Sequence, residues 1–195
     1  MTRTISRLFD SYSQAKAAVE ALEQAGFTSS EVSLVSRYRD DNTLADDAEG
    51  SGAAAGAAAG AVVGGGTGLL AALGMIAIPG IGPLVAAGVL ATTLVGAGTG
   101  GVVGGLIGAL TDYGVSEEDA HVYSEGVRRG SSLVTVRTDD ARVAQAETIL
   151  NSLNPVDTRQ RRQVYEAGGW AEYDPNSKGL TAEEIRRERE RYLNR

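Results

Sequence analysis

The sequence predicts an α+β fold: two βαβ halves sharing one sheet, separated by a long glycine-rich helical hairpin. Three observations carry this reading. Residues Gly50 to Thr111 contain no charged side chain and hold 19 of the chain's 26 glycines. Within that block, small residues recur every four positions. The helical pattern of SYSQAKAAVEALEQAG (11–26) returns 128 residues later, matching Ala18 with Ala146 and Leu22 with Leu150.

Residues 1–36 form the first half. TISRLF (4–9) is a short β-prone run, and the helix after it puts Ala15, Ala18, Val19, Leu22 and Ala25 on one face. Ser11 and Gln14 fit a capping box, and Gly26 fits the position just past the helix end. EVSLVS (31–36) is the second strand. Residues 37–49 are a polar linker with Asp40, Asp41, Asp46, Asp47 and Glu49. They lack the alternating oxygen ligands of a calcium loop, so a solvated linker is the reading.

The block 50–112 divides at IPGIGP (78–83), where two prolines and two glycines oppose a continuous helix. Each arm is about 28 residues, or roughly 42 Å if helical, against a hydrocarbon core of about 30 Å. In the first arm Gly52, Gly56, Gly60, Gly64 and Gly68 stand four apart. In the second, Gly88, Thr92, Gly96, Gly100, Gly104 and Gly108 repeat the spacing. Glycine in a helix interior costs about 1 kcal/mol relative to alanine. Such a row instead forms a groove that a neighbouring backbone can enter. These glycines are therefore candidate helix-packing residues of a glycine zipper, with Pro79, Gly80, Gly82 and Pro83 as the hairpin turn.

Residues 113–162 hold a further helix and the second half. SEEDAHVYSEGVRRG is capped by Ser116 with Asp119, SSLVTVRT is a strand, and DARVAQAETILNSL is a helix with Val143, Ala146, Leu150 and Leu153 inward. VDTRQ (156–160) reads as a final short strand. The two halves then match the split βαβ pattern of a ferredoxin-like fold. Residues 163–195 are a tail: a loop-like stretch with Trp170 between Tyr165 and Tyr173, then a helix capped by Thr181 and Glu184. That helix is charged nearly all round. It reads as a solvated helix held by its own ion pairs, with a docking helix carrying Ile185, Tyr192 and Leu193 as the alternative.

Composition narrows function. The net charge is −7, and residues 1–158 carry 9 Lys+Arg against 18 Asp+Glu. An acidic body argues against nucleic-acid binding. There is no cysteine, so disulfides and thiolate metal sites are excluded, and MTRTISRLFD has no secretory apolar core. GAGTGG (96–101) matches a dinucleotide fingerprint but lacks its preceding strand and following acid. His121 is the sole histidine, on a charged helix. No nucleophile–base pair emerges, so no enzyme, catalytic residue, metal or cofactor is expected.

Together, LFDSYSQAKAAVEALEQAGF (8–27), the glycine block, HVYSEGVRRGSSLVTV (121–136) and VYEAGGW (164–170) resemble bacterial general stress proteins carrying the heat-induced stress protein domain of the YflT-like type. The resemblance covers residues 1–170. It implies a bacterial, stress-associated, non-enzymatic protein and supplies no catalytic residues or ligand. The favoured function for the block is a membrane-inserted hairpin anchoring a cytoplasm-facing domain; the alternative is a cytoplasmic homo-oligomeric scaffold assembled through zippers. Self-association is expected under both. A small-molecule-binding regulatory domain is a third reading, on fold analogy alone.

Overall fold

The computed structural model describes residues 2–37, 69–72, 74–78, 81–100, 105–178 and 180–193. The fold is α+β, built on one five-stranded antiparallel sheet in the order β1-β5-β2-β4-β3. Its strands are β1 (Thr2–Phe9), β2 (Val32–Ser36), β3 (Gly74–Ile78), β4 (Gly82–Gly88) and β5 (Ser132–Asp139). β5 lies between β1 and β2 and runs antiparallel to both, with Ile5 and Val32 each opposite Val136. β1 and β2 are therefore parallel, bridged by helix α1 (Tyr12–Gln24).

Alternation along the strands sorts side chains to two apolar layers. Ile5, Val32, Leu34, Val85, Val134 and Val136 meet α1 and helix α5 (Val143–Asn151) on one face. There Ala18 and Leu22 of α1 share a core with Ala146 and Leu150 of α5, all fully buried. Leu8, Val35, Leu84, Ala86 and Leu133 point to the other face. That face is covered by α2 (Val89–Gly100), α3 (Gly105–Asp112) and α4 (Glu117–Arg128). Serines and threonines inside the sheet bond one another: Ser6 Oγ lies 3.1 Å from Thr135 Oγ1, and Ser36 Oγ lies 2.7 Å from Ser132 Oγ. Pairing of this kind removes the penalty of burying a lone hydroxyl.

Local signals at helix ends act as expected. Ser11 Oγ accepts the Gln14 amide, Ser116 Oγ accepts the Asp119 amide, and Gly26 takes φ +86° after α1. Helix α7 (Ala182–Leu193) opens with Thr181 and Glu184 bonded reciprocally.

Two sequence expectations are corrected. Residues 156–160 do not form a strand. Val156 N donates once to Leu8 O beside β1, and then Asp157 caps helix α6 (Thr158–Ala167) by accepting the Arg159 and Gln160 amides. The larger correction concerns the block 50–112. Its residues 74–78 and 82–88 are not helical but paired antiparallel strands, with Ile78 opposite Gly82. β4 continues inward to pair with β2, Val35 opposite Ala86. Ile76, Ile78 and Val85 suit a pleated strand, whereas the glycines, alanines and Pro83 do not, so pairing with β2 and burial of residues 84–87 decide the outcome.

Candidate interaction surface and the charge cluster on α4

Gly88, expected in a helix groove, is instead the joint at which β4 becomes α2. It adopts φ +84°, and a Cβ there would lie 2.1 Å from Val32 O and 2.8 Å from Ser33 Cα. Only glycine permits both the backbone angle and the approach. Ser33 Oγ, one strand over, accepts the Leu90 amide at 3.1 Å and caps α2 in place of a local side chain. Sequence reasoning missed this joint because its cap comes from Ser33, 57 positions from Leu90.

The other named residues fall as follows. Gly82 and Pro83 belong to β4 rather than to the turn, and Ile81 N donates to Ile78 O across it. Pro79, Gly80, Gly52, Gly56, Gly60, Gly64 and Gly104 lie outside the described residues, as does Gly68. Gly96 and Gly100 are in α2. Gly108 is in α3, and among the described residues a Cβ there would meet nothing within 4 Å. The second arm is thus a strand followed by two short helices, with Thr93 Oγ1 3.4 Å from the Tyr113 hydroxyl. Among the described residues, no helix is long and apolar enough to cross a membrane.

The hairpin leaves β3 at the end of the sheet. Among the described residues no strand pairs with its outer edge. Pro83 has no N–H, so its pairing with Ala77 must be of the non-hydrogen-bonded kind. Alternation then directs the backbone N–H and C=O of Ala77 and Met75 away from β4, toward that open edge. The opposite edge differs. β1 carries Arg3 and Arg7, and its Leu8 carbonyl is taken by Val156 N.

A second feature gathers the residues quoted from the C-terminal half. Glu125 of α4 is buried, and its carboxylate accepts Arg128 Nε at 2.8 Å and Arg128 Nη2 at 2.6 Å, as well as Arg129 Nε. The Arg129 guanidinium stacks over the Tyr165 ring at 4.5 Å and reaches Glu188 of α7 at 3.5 Å. Trp170 stands edge-on to Tyr165, 5.6 Å between centroids. Arg161 of α6 bridges both Asp10 oxygens at 2.8 Å through Nη2. Burial works against the Arg161 charge, but Tyr165 and Asp10 outweigh it and hold the guanidinium protonated above its usual range.

These contacts tie the tail to the body. Tyr173 is buried in the core beside α4, its amide donating to His121 Nδ1 at 3.1 Å, and Ile185 is fully buried. Helix α7 is a docked helix rather than a solvated one. Gly126 allows α4 to lie against β1, since a Cβ there would come within 2.5 Å of Leu8 Cδ2. Chemically the cluster is a closed set of ion pairs and ring contacts. Among the described residues, no three His, Asp or Glu side chains are grouped as metal ligands would be.

No protein-family model, curated protein or solved structure matches the chain.

Proposed function

We propose that the chain is a non-enzymatic, stress-associated bacterial protein that acts by self-association through its uncharged insertion. A ferredoxin-like core carries that insertion. The observation supporting this most is the β3–β4 hairpin. A bilayer hairpin would need both arms as long helices, and residues 74–78 and 82–88 are instead strands of the sheet that contains β2. The backbone of β4 therefore finds partners on both sides, in β3 and β2, and Leu84, Val85, Ala86 and Ala87 are buried in the core.

The split arrangement of β1, β5 and β2, with α1 and α5 on one face, supports the ferredoxin-like reading. The stress association rests on the sequence resemblance alone. Self-association in the cytoplasm is favoured over membrane insertion because the segment's apolar content is spent on the sheet.

Two measurements on the full chain test this. Light scattering should give a mass that is a multiple of 20.1 kDa. After cell fractionation, a carbonate wash should release any membrane-bound protein. A single-chain mass would refute self-association, and resistance to carbonate would reinstate insertion.

A further inference from the structure

We infer that the outer edge of β3 is a self-pairing edge, joining two copies into one continuous sheet about a two-fold axis beside Ile76. This rests on the self-association reading and names its surface.

Edge strands expose unpaired N–H and C=O groups, and proteins ordinarily guard them with charge, proline or a covering element. β3, Gly-Met-Ile-Ala-Ile, contains neither charge nor proline, and among the described residues no strand pairs with its outer edge. Nor is there a charge anywhere from Gly50 to Thr111, in a chain whose net charge is −7. Two copies meeting through most other surfaces would bring acidic groups together, whereas this strand brings none.

The same strand fits a copy of itself. In a two-fold antiparallel pair every residue faces a symmetry-related one, so a charged strand would place like charges nearby, which destabilises the pair. An equivalent pairing of β1 would bring Arg3 and Arg7 of one copy near those of the other. β3 has no such conflict. The groups directed outward are the N–H and C=O of Met75 and Ala77, two residues apart. Full overlap of five residues places Ile76 opposite its own copy. Met75 of one chain then exchanges both hydrogen bonds with Ala77 of the other, and the reverse. The Ile76 pair falls at a non-hydrogen-bonded position, where Cα atoms approach to about 4.5 Å.

That distance suits a disulfide, and the protein has no cysteine to interfere. In the full chain, Ile76→Cys should cross-link into a covalent dimer under mild oxidation. Ala77→Pro, which removes an outward N–H, should shift the light-scattering mass to that of one chain. Its circular dichroism should stay that of the parent. In the parent, hydrogen exchange at the Met75 and Ala77 amides should slow as protein concentration rises. Exchange needs no substitution and stands if either variant fails to fold. A multimer that persists in Ala77→Pro, with no Ile76→Cys dimer and concentration-independent exchange, would overturn the edge while leaving self-association intact. Cross-linking through Thr92→Cys on α2 instead would have the same meaning. A single-chain parent would remove both.

Discussion

Gly88 and Gly108 were indistinguishable as members of one four-residue repeat, and the structure assigns them opposite sensitivities. In Gly88→Ala the added methyl must occupy φ +84° and sit 2.1 Å from Val32 O. The left-handed angle costs about 1–2 kcal/mol. Overpacking costs about 1–3 kcal/mol more, and here the obstacles nearest the methyl are backbone atoms of β2, which cannot rotate away. The sum, roughly 2–5 kcal/mol, is a large part of the 5–15 kcal/mol typical of a folded domain. For a chain of this size each kcal/mol moves Tm by about 2–4 °C, so a fall on the order of 10 °C is expected. Gly108→Ala meets open space within a helix, and alanine's propensity advantage of about 1 kcal/mol should raise Tm slightly. Thermal and urea unfolding of the two variants beside the parent give the comparison. A Gly88→Ala protein within about 1 kcal/mol of the parent, or a Gly108→Ala protein that loses more than it, would refute the reasoning.

The α4 cluster, two buried tyrosines and Glu31 yield three more expectations. Arg161→Met leaves the Asp10 carboxylate without its bridging cation and should cost about 3 kcal/mol, the lower end for breaking a buried pair, because Asp10 keeps some solvent contact; urea midpoints measure it. Burial pushes both Tyr123 and Tyr173 up to about 12, so their neutral forms stabilise the fold fully below the ordinary tyrosine value of 10 and progressively less as pH rises from there toward 12. Stability measured across that window should fall, and less steeply in Tyr123→Phe. At acid pH the sign reverses for Glu31: burial alone would raise its pKa, but hydrogen bonds from Thr28 and Thr138 and the charge of Arg142 hold it below the usual 4.5. Its contribution is present above that value and lost as pH falls through the lowered one, so Glu31→Gln should show a shallower acid loss than the parent.

What the sequence made legible was what is decided locally or by simple periodicity. Ser11, Ser116 and Thr181 announced helix starts because a cap needs only its own next three residues. The recurrence of Ala18 and Leu22 at Ala146 and Leu150 placed α1 and α5 on a common face. Asp157 with Gln160 carried the same kind of cap signal, but the β-branched Val156 and Thr158 obscured it. The insertion was misread for a different reason. Small residues every four positions satisfy a helix groove, yet a short strand between two covered faces tolerates the same alanines and glycines. The deciding interactions are remote: β2 offers a pairing edge to β4, and Ser33 offers a cap to α2. The P-G within IAIPGIG signals a hairpin in either case, since it can join two helical arms or two strands. Of the α4 cluster, the sequence showed the residues but not their meeting, which depends on Arg161 returning to β1 through α6.

The central claim is that residues 74–78 and 82–88 form strands of the body's own sheet. Cross-strand nuclear Overhauser contacts in the full-length protein test it most directly. The account predicts Hα–Hα contacts between Met75 and Val85 and between Val35 and Ala86, both non-hydrogen-bonded pairs in the observed registers. Sequential amide–amide contacts with Hα(i)–HN(i+3) contacts running unbroken from 74 to 88, and no contact to β2, would mean a helical arm and would contradict it.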